Sequence, residues 1–333
     1  MITIPEFPKT KKLKSLAVLT SGGDAPGMNA AVRAVVRYSI ANDIEVFGIM
    51  KGYSGLLEGQ IEAMKLSSVA NIIQRGGTVL KTSRCPEFMK KQVRKEAAYI
   101  LERKGIEGLV VIGGDGSFAG ASLLEKETGF RTIGVPGTID NDIFGTDDTI
   151  GFDTAVNTAI EAIDRIRDTA SSHGRLFLVE VMGRNSGFIA LSTGIGGGAE
   201  TIVVPEAEMT LPMIRKSIER GMNRGKTSSI IVVAEGPKPG LATRIGRGLE
   251  KAGFDSKICT LGHIQRGGVP TAHDRMLGSV LGAAAVAYLA SGKSGGMVGI
   301  TRNEVAFTPF KEVIGKKKTL PKVAMALAEI LAT

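Results

Sequence analysis

The feature that most limits what this chain can fold into is a pattern repeated along it. A short apolar run ends in a turn rich in glycine or aspartate, and a helical pattern follows. LAVLT (16–20) enters SGGDAPGMN and then AAVRAVVRYSIA; GLVVI (108–112) enters GGDGSFAGA and then SLLEKE. RTIGVP (131–136) enters an aspartate-rich stretch and then TAVNTAIEAIDRIRDTA; LFLVEVM (176–182) enters GRNSG and a further helix. SSIIVVAEG (228–236) follows a helix and ends in a loop. Buried β-rich runs alternating with amphipathic helices predict largely parallel sheets covered on both faces. About ten or more strands are too many for one ordinary sheet, and 333 residues suffice for two domains. The expected fold is α/β, with two Rossmann-like three-layer domains and the active site in the cleft between them. Ligands of such folds bind outside the carboxyl ends of the strands, where the glycine and aspartate turns lie.

The formal net charge is +9. Nucleic-acid binding is disfavoured, because aromatics make up 5%, tryptophan is absent and no recognition motif is present. Arginines beside glycine-rich turns point instead to small phosphorylated anions. The lysine runs Lys11–Lys12 and Lys316–Lys318 read as solvated tails and turns. Cys85 and Cys259 form no disulfide framework and have no metal-ligand spacing, so they read as packing or peripheral residues of a reducing compartment. The N-terminus has no secretory h-region. The longest apolar stretch, LGAAAVAYLA (281–290), is about half of the roughly 20 residues a membrane helix needs. A soluble cytoplasmic protein with no membrane or nucleic-acid partner is expected.

Two apparent nucleotide motifs fail. GMNRGKT (221–227) has three residues between its glycines where a P-loop has four, and it precedes a strand. GIGGGA (194–199) is followed by the strand-like ETIVVPE rather than by a helix. TSGGD (20–24) and GGDGS (113–117) survive, because glycines at strand ends let the backbone approach an anion and the next helix N-terminus points N–H groups at it. Asp115 would repel phosphate unless a cation such as Mg²⁺ intervened. In TIDND (138–142), Asp140 and Asp142 stand at i, i+2, and an extended segment would place both on one face. One could act as a base while the other orients it or faces a metal. Phosphoryl transfer needs such a base, a metal and a cation for the transition-state charge. Asp147, Asp148 and Asp153 read as caps of turns and of the following helix. His173 and His273 read as structural. His263, Glu235, Tyr53, Arg33 and Arg37 each have an ordinary structural reading beside a functional one.

Ten segments occur in order: LTSGGDAPGMNAAVR, GGT…SR (76–84), VVIGGDGS, PGTIDND, EAIDRIRDT, SSHGR, VEVMGR, VVPE, AEG and LGHIQRGG. On these the chain resembles the bacterial-type ATP-dependent 6-phosphofructokinases over nearly all of its length after about residue 15. The resemblance implies transfer of the ATP γ-phosphate to the C1 hydroxyl of fructose 6-phosphate, in glycolysis, by a homotetramer. It implies an ATP-binding domain of residues 15–151 plus about 265–316, and a fructose 6-phosphate-binding domain of residues 152–264 plus about 317–333. The ATP site would take Gly23, Tyr53, Arg84, Cys85, Gly114, Asp115, Gly116, Ser117 and Gly120, with Mg²⁺ at Asp115. Asp140 would be the base, Thr138 and Asp142 its partners, and Arg184 and Gly23 further catalytic groups. Ile139, Met182, Gly183, Glu235, His263 and Arg266 would bind the sugar phosphate, with Thr138, Asp140 and Arg184. Arg175 and Lys257 would reach it from a neighbouring subunit. Arg33, Arg37, Arg167, Glu200, Arg224 and Lys226 would form an effector site for ADP or phosphoenolpyruvate.

Three departures and one donor signal follow from the same resemblance. Pyrophosphate-using relatives usually carry a second aspartate after GGD and a lysine before TIDND; this chain has Gly116 and Gly137, so ATP is the expected donor. Lys257 stands where a second cross-subunit arginine is usual. Leu66 and Asn71 stand where an arginine and an aspartate are common at the effector site, which implies blunted or altered regulation. A different ketohexose phosphate as acceptor and a non-catalytic regulatory protein remain as alternatives, though the latter need not keep Asp140, Asp115 and Arg184 together.

Overall fold

The computed structural model describes residues 2–3, 13–173, 175–238 and 240–332, without the side chains of 171–173. The Lys11–Lys12 run, most of the first fifteen residues and the His173 side chain therefore lie outside the described residues. The strands are β1 (Ser15–Ser21), β2 (Glu45–Ile49), β3 (Ile61–Ala63), β4 (Leu109–Gly113), β5 (Thr132–Pro136), β6 (Leu176–Val181), β7 (Thr201–Val203), β8 (Ser229–Ala234), β9 (Ser256–Thr260), β10 (Gly296–Thr301) and β11 (Glu304–Pro309). The helices are α1 (Met28–Ala41), α2 (Gly52–Leu57), α3 (Lys91–Arg103), α4 (Asp115–Thr128), α5 (Phe152–His173), α6 (Phe188–Gly196), α7 (Leu211–Asn223), α8 (Leu241–Lys251), α9 (Ala272–Ala290), α10 (Phe310–Val313) and α11 (Lys322–Leu331).

These elements divide into two compact units, each discontinuous in sequence. One comprises Met1–Thr138, Ile143–Asp153 and Arg266–Lys318; the other comprises Ile139–Asp142, Thr154–Gln265 and Thr319–Thr333. The first holds a seven-stranded sheet ordered β11-β10-β5-β4-β1-β2-β3. Its middle five strands run parallel, and β3 and β11 close the edges antiparallel. Every residue of β1, β4 and β5 is buried, which is why their sequences show no alternation: helices cover both faces. Leu16, Leu19, Leu109 and Ile112 are fully buried here, each worth about 1.5–3 kcal/mol of transfer free energy. The apolar LGAAAVAYLA stretch is the second half of α9, which packs on α1. Gly278 and Gly282 permit that approach, since a Cβ at either would lie within 2.8 Å of an α1-side carbonyl oxygen. Among the described residues, no helix is long and apolar enough to cross a membrane.

The second unit holds four parallel strands ordered β7-β8-β6-β9. Leu176 and Leu178 on β6, Ile231 and Val233 on β8, Ile214 and Ile218 on α7 and Leu249 on α8 form its core. GMNRGKT bridges the end of α7 and the start of β8, so its glycines face no helix N-terminus. GIGGGA closes α6 and leads into β7. The mixed, mainly parallel sheets match the α/β class expected from the sequence.

Candidate active site

In the first unit three central strands end level. Ser21 of β1 pairs with Gly113 of β4, and Gly113 pairs with Pro136 of β5. Gly22–Gly23, Gly114–Gly116 and Gly137–Thr138 therefore emerge side by side at one carboxyl edge. Helix α4 begins there at Asp115, so the positive end of its dipole and the N–H groups of its first turn face the same edge. Asp115 and Gly116 are exposed, while the Ser117 side chain is buried. The Gly23 backbone lies under the Arg266 guanidinium, whose Nη1 donates to the Asp24 carbonyl at 3.2 Å.

Tyr53 supports this edge from beneath. It is 5% exposed, its ring stacks on Phe88 at 3.9 Å, and its hydroxyl donates to the Ser117 carbonyl at 2.7 Å. Burial pushes that phenol far above its usual value. Gly120 is the residue of α4 that lets the two rings in, because a Cβ there would meet them at 3.1–3.2 Å. Arg84 is exposed and Cys85 half-buried, on a loop shaped from α1 and β1. Asn29 accepts from the Val79 N–H and donates to the Arg75 carbonyl, and Thr82 donates to the Gly22 carbonyl.

The segment carrying Asp140 and Asp142 differs from the sequence expectation. Residues 139–140 lie in a turn and Asn141 follows in the left-handed region at φ 49°, so the two carboxylates do not share a face by strand periodicity. The physical reason is local: asparagine tolerates that conformation, and one such residue ends the alternation. Asp140 and Asp142 are half-buried, and Ser186 donates to the Asp140 carbonyl at 2.8 Å. Asp147 accepts from the Arg302 N–H at 2.6 Å in the β10–β11 turn, as the turn-capping reading expects, and Asp153 lies in the first turn of α5. Asp148 instead pairs with His273.

The second unit repeats the level ending. Val181 of β6 pairs with Ala234 of β8, and Glu180 pairs with Thr260 of β9. Met182–Gly183–Arg184, Glu235 and Leu261–His263 leave that edge. Gly183 takes φ 139°, which only glycine adopts readily, and Arg184 takes φ 50°. The Arg184 N–H donates to Glu235 Oε1 at 3.2 Å. Arg184, Asn185, Glu235, Gly236 and Pro237 line an open cavity of about 270 Å³. His263 is exposed. Gln265 was not singled out by sequence reasoning. It is fully buried, accepts the Met182 N–H at 2.8 Å and donates to the Ala155 carbonyl at 3.4 Å, so it pins the strand end to α5. Its position inside LGHIQRGG was the available signal.

Arg175 and Lys257 are not with this group. Arg175 precedes β6 and Lys257 pairs with Phe177, so both lie near the amino end of the sheet, a strand's length (~15–20 Å) from the carboxyl end of β6 that Arg184 follows. Lys257 is exposed and held by Asp255 at 2.9 Å. Of the effector candidates, Arg167 donates to the Gly197 and Gly198 carbonyls, and Glu200 pairs with Lys226 at 3.4 Å while accepting the Ile230 N–H at 2.6 Å. Arg224 is exposed in the turn after α7. Arg33 and Arg37 lie on α1 in the first unit; Arg33 is half-buried and Arg37 exposed. Leu66 is 49% exposed, and Asn71 has φ 54°. Both cysteines are free and half-buried, and burial pushes the Cys259 thiol up.

Among the described residues, no three His, Cys, Asp or Glu side chains gather as a metal-binding group. An exposed carboxylate at a helix N-terminus suits Mg²⁺, which typically takes one or two carboxylates and fills its octahedron with water and phosphate oxygens. Asp115 fits that donor set.

Residues 15–289 match the family described as Phosphofructokinase. ATP-dependent 6-phosphofructokinase 1 of Thermus thermophilus is 54% identical over 321 residues, covering 96% of this chain and 100% of the relative. ATP-dependent 6-phosphofructokinase of Bacillus thuringiensis is 55% identical over the same shares. Among solved structures, phosphofructokinase from Saccharomyces cerevisiae superposes with a TM-score of 0.85 at 37% identity, over 96% of this chain and 46% of that one. This chain therefore spans about half of the yeast chain. A pyrophosphate-dependent phosphofructokinase from Marinobacter aquaeolei shares the fold, with a TM-score of 0.81 at 23% identity over 93% of this chain and 86% of its own.

Proposed function

The chain belongs to the phosphofructokinase family, and from that premise we propose that it is an ATP-dependent 6-phosphofructokinase, transferring the γ-phosphate to the C1 hydroxyl of fructose 6-phosphate to give fructose 1,6-bisphosphate and ADP. The observation that carries the reading is identity of 54–55% across 96% of the chain to bacterial relatives of that name. Asp115, Asp140 and Arg184 stand where the motif resemblance puts the metal ligand, the base and the charge-neutralising arginine.

In this reading the α4 N-terminus and the backbone of Gly114–Ser117 bind the ATP phosphates, with Gly23, Arg84 and Cys85 beside them and Tyr53 and Gly120 underneath. Asp115 would hold Mg²⁺, which would supply neutralisation of phosphate charge. Asp140 takes the proton of the sugar hydroxyl, with Thr138 and Asp142 as its partners. Arg184 neutralises charge on the moving phosphoryl group, and its left-handed backbone, tied to Glu235, directs the side chain. Ile139, Met182, Gly183, Glu235, His263 and Arg266 bind the sugar phosphate. The test is initial rates with fructose 6-phosphate and Mg²⁺, comparing ATP with pyrophosphate. Turnover with pyrophosphate but not ATP would overturn the reading.

Donor choice rests on Gly116 and Gly137, which the structure places in different surroundings. A Cβ at Gly116 meets nothing within 4 Å, whereas at Gly137 it would meet Met28 at 2.9 Å and Ile112 at 3.1 Å. Gly137 thus also serves packing, and Gly116 is the cleaner probe. Gly116→Asp should leave folding intact and lower kcat/KM for ATP by about tenfold or more, because like charges set against each other cost several kcal/mol. Unchanged kcat/KM would remove Gly116 from donor selection.

A homotetramer with Arg175 and Lys257 reaching a neighbour's substrate, in the cytoplasm, completes the proposal. Their distance from Arg184 along β6 suits action in another subunit. Lysine keeps the charge but lacks the bidentate fork. Lys257→Arg should lower the half-saturation for fructose 6-phosphate, and an unchanged value would count against this role. At the effector site Leu66 offers no donor. ADP activation and phosphoenolpyruvate inhibition should be weak and should strengthen in Leu66→Arg; strong responses in the unaltered protein would refute this.

A further inference from the structure

The loop after the aspartate turn is pinned from two sides within the first unit. On one side, Thr146 Oγ1 accepts the Ile300 N–H at 3.0 Å and the Asp147 carboxylate accepts the Arg302 N–H. On the other, the Gly151 N–H donates to the buried Asp274 carboxylate at 2.8 Å, and His273 Nε2 meets Asp148 Oδ2 at 3.3 Å. Between these anchors the loop holds the segment that leads into the turn. The Ile150 N–H donates to the Pro136 carbonyl at 2.9 Å, and Thr149 Oγ1 donates to the Thr138 carbonyl at 2.6 Å. The Gly137 N–H donates to the Gly113 carbonyl at 2.9 Å on the opposite flank. Within this set one contact is made by an imidazole, the side chain whose ordinary titration falls in the physiological range.

We propose that His273 and Asp148 form a positioning pair for the phosphoryl transfer, setting through Thr149 the placement of Thr138 and of the Asp140 turn, with the imidazolium as the working form. The catalytic part of this inference rests on the function proposed above. The hydrogen bond that His273 donates to Asp148 raises the imidazole above its usual range, and the same bond holds the Asp148 carboxyl below its own. The other charged groups facing the pair are Asp153 at the start of α5 and Asp274 beside it on α9, both favouring the imidazolium, and Lys318, which favours the Asp148 carboxylate and donates to the Asp147 carbonyl. The sign follows. The pair's contribution is complete below the ordinary histidine value and is lost as pH rises through the raised value of His273. His273 and Asp148 side chains are 41% and 36% exposed, so solvent screening keeps the effect modest.

Two measurements test the pair independently. The chain has three histidines, so the His273 imidazole can be followed by NMR against pH. Its midpoint should lie above the ordinary value and return toward it in Asp148→Asn. In kinetics, kcat between pH 6 and 9 should fall on the alkaline side with the same midpoint. His273→Gln and Asp148→Asn should each lower kcat at pH 6.5 by about threefold and abolish that ionisation, with KM for both substrates nearly unchanged. The double variant should lose no more than either single one, and His273→Lys should keep activity at high pH. An NMR midpoint insensitive to Asp148→Asn overturns the pair. An alkaline limb that persists in His273→Gln, or single losses that multiply in the double variant, overturns its positioning role. A wild type without phosphofructokinase turnover overturns the functional reading and with it the positioning role, while the NMR result still decides the pair.

Discussion

Asp140→Ala should lose turnover by about 10²–10⁴-fold, the range that a positioned proton-transfer group contributes. The sugar C1 hydroxyl must shed its proton as it attacks phosphorus, and in the proposed mechanism Asp140 is the group that receives it. The link between Ser186 and residue 140 runs through the Asp140 carbonyl and survives the loss of the carboxylate. Half-saturation for both substrates should therefore change much less than kcat. A variant that keeps kcat within tenfold of the parent would show that the proton goes elsewhere.

The second large effect is expected at Arg184. In phosphoryl-transfer enzymes an arginine that stabilises the transition state is worth about 10³–10⁵ in rate, so Arg184→Ala should cost kcat on that scale. The backbone N–H contact with Glu235 persists in the variant. Alanine at φ 50° bears the same left-handed cost as arginine, of order 1–2 kcal/mol, so folding is not the variable. Arg184→Lys should recover only part of the loss, since a point charge replaces a planar fork. Full activity in Arg184→Lys would reduce the role to charge alone. Near-parental kcat in Arg184→Ala would remove Arg184 from the chemistry.

Much of the fold was legible because its central strands are buried on both faces. Such strands read as unbroken apolar runs, and their ends are marked by glycine where the backbone must turn sharply. The edge strands were less so. β3 has three residues and β9 leaves Lys257, Ile258 and Thr260 exposed, and neither carries a strong apolar signature. The candidate site was legible where its residues sit in contiguous strand-end segments, as with Gly114–Ser117 and Met182–Arg184. It was not legible at 139–142, where one residue of positive φ replaces the expected extended geometry. A dihedral choice of about 1–2 kcal/mol, made by asparagine in a turn, leaves no periodic trace.

The sequence by itself determined the alternation of strand and helix, the turns that carry the strand-end glycines and the acidic segment, because hydrophobic period and backbone permissiveness are local properties. Tertiary structure decided which of those segments stand level with one another, through the parallel registers that bring Ser21, Gly113 and Pro136 to one edge and Val181 and Ala234 to another. It also decided the partners of single polar side chains. Gln265 with Met182, Tyr53 with Ser117, and His273 with Asp148 are contacts between residues far apart in the chain. One histidine or glutamine carries no periodicity, so only packing selects which carboxylate or backbone group it meets.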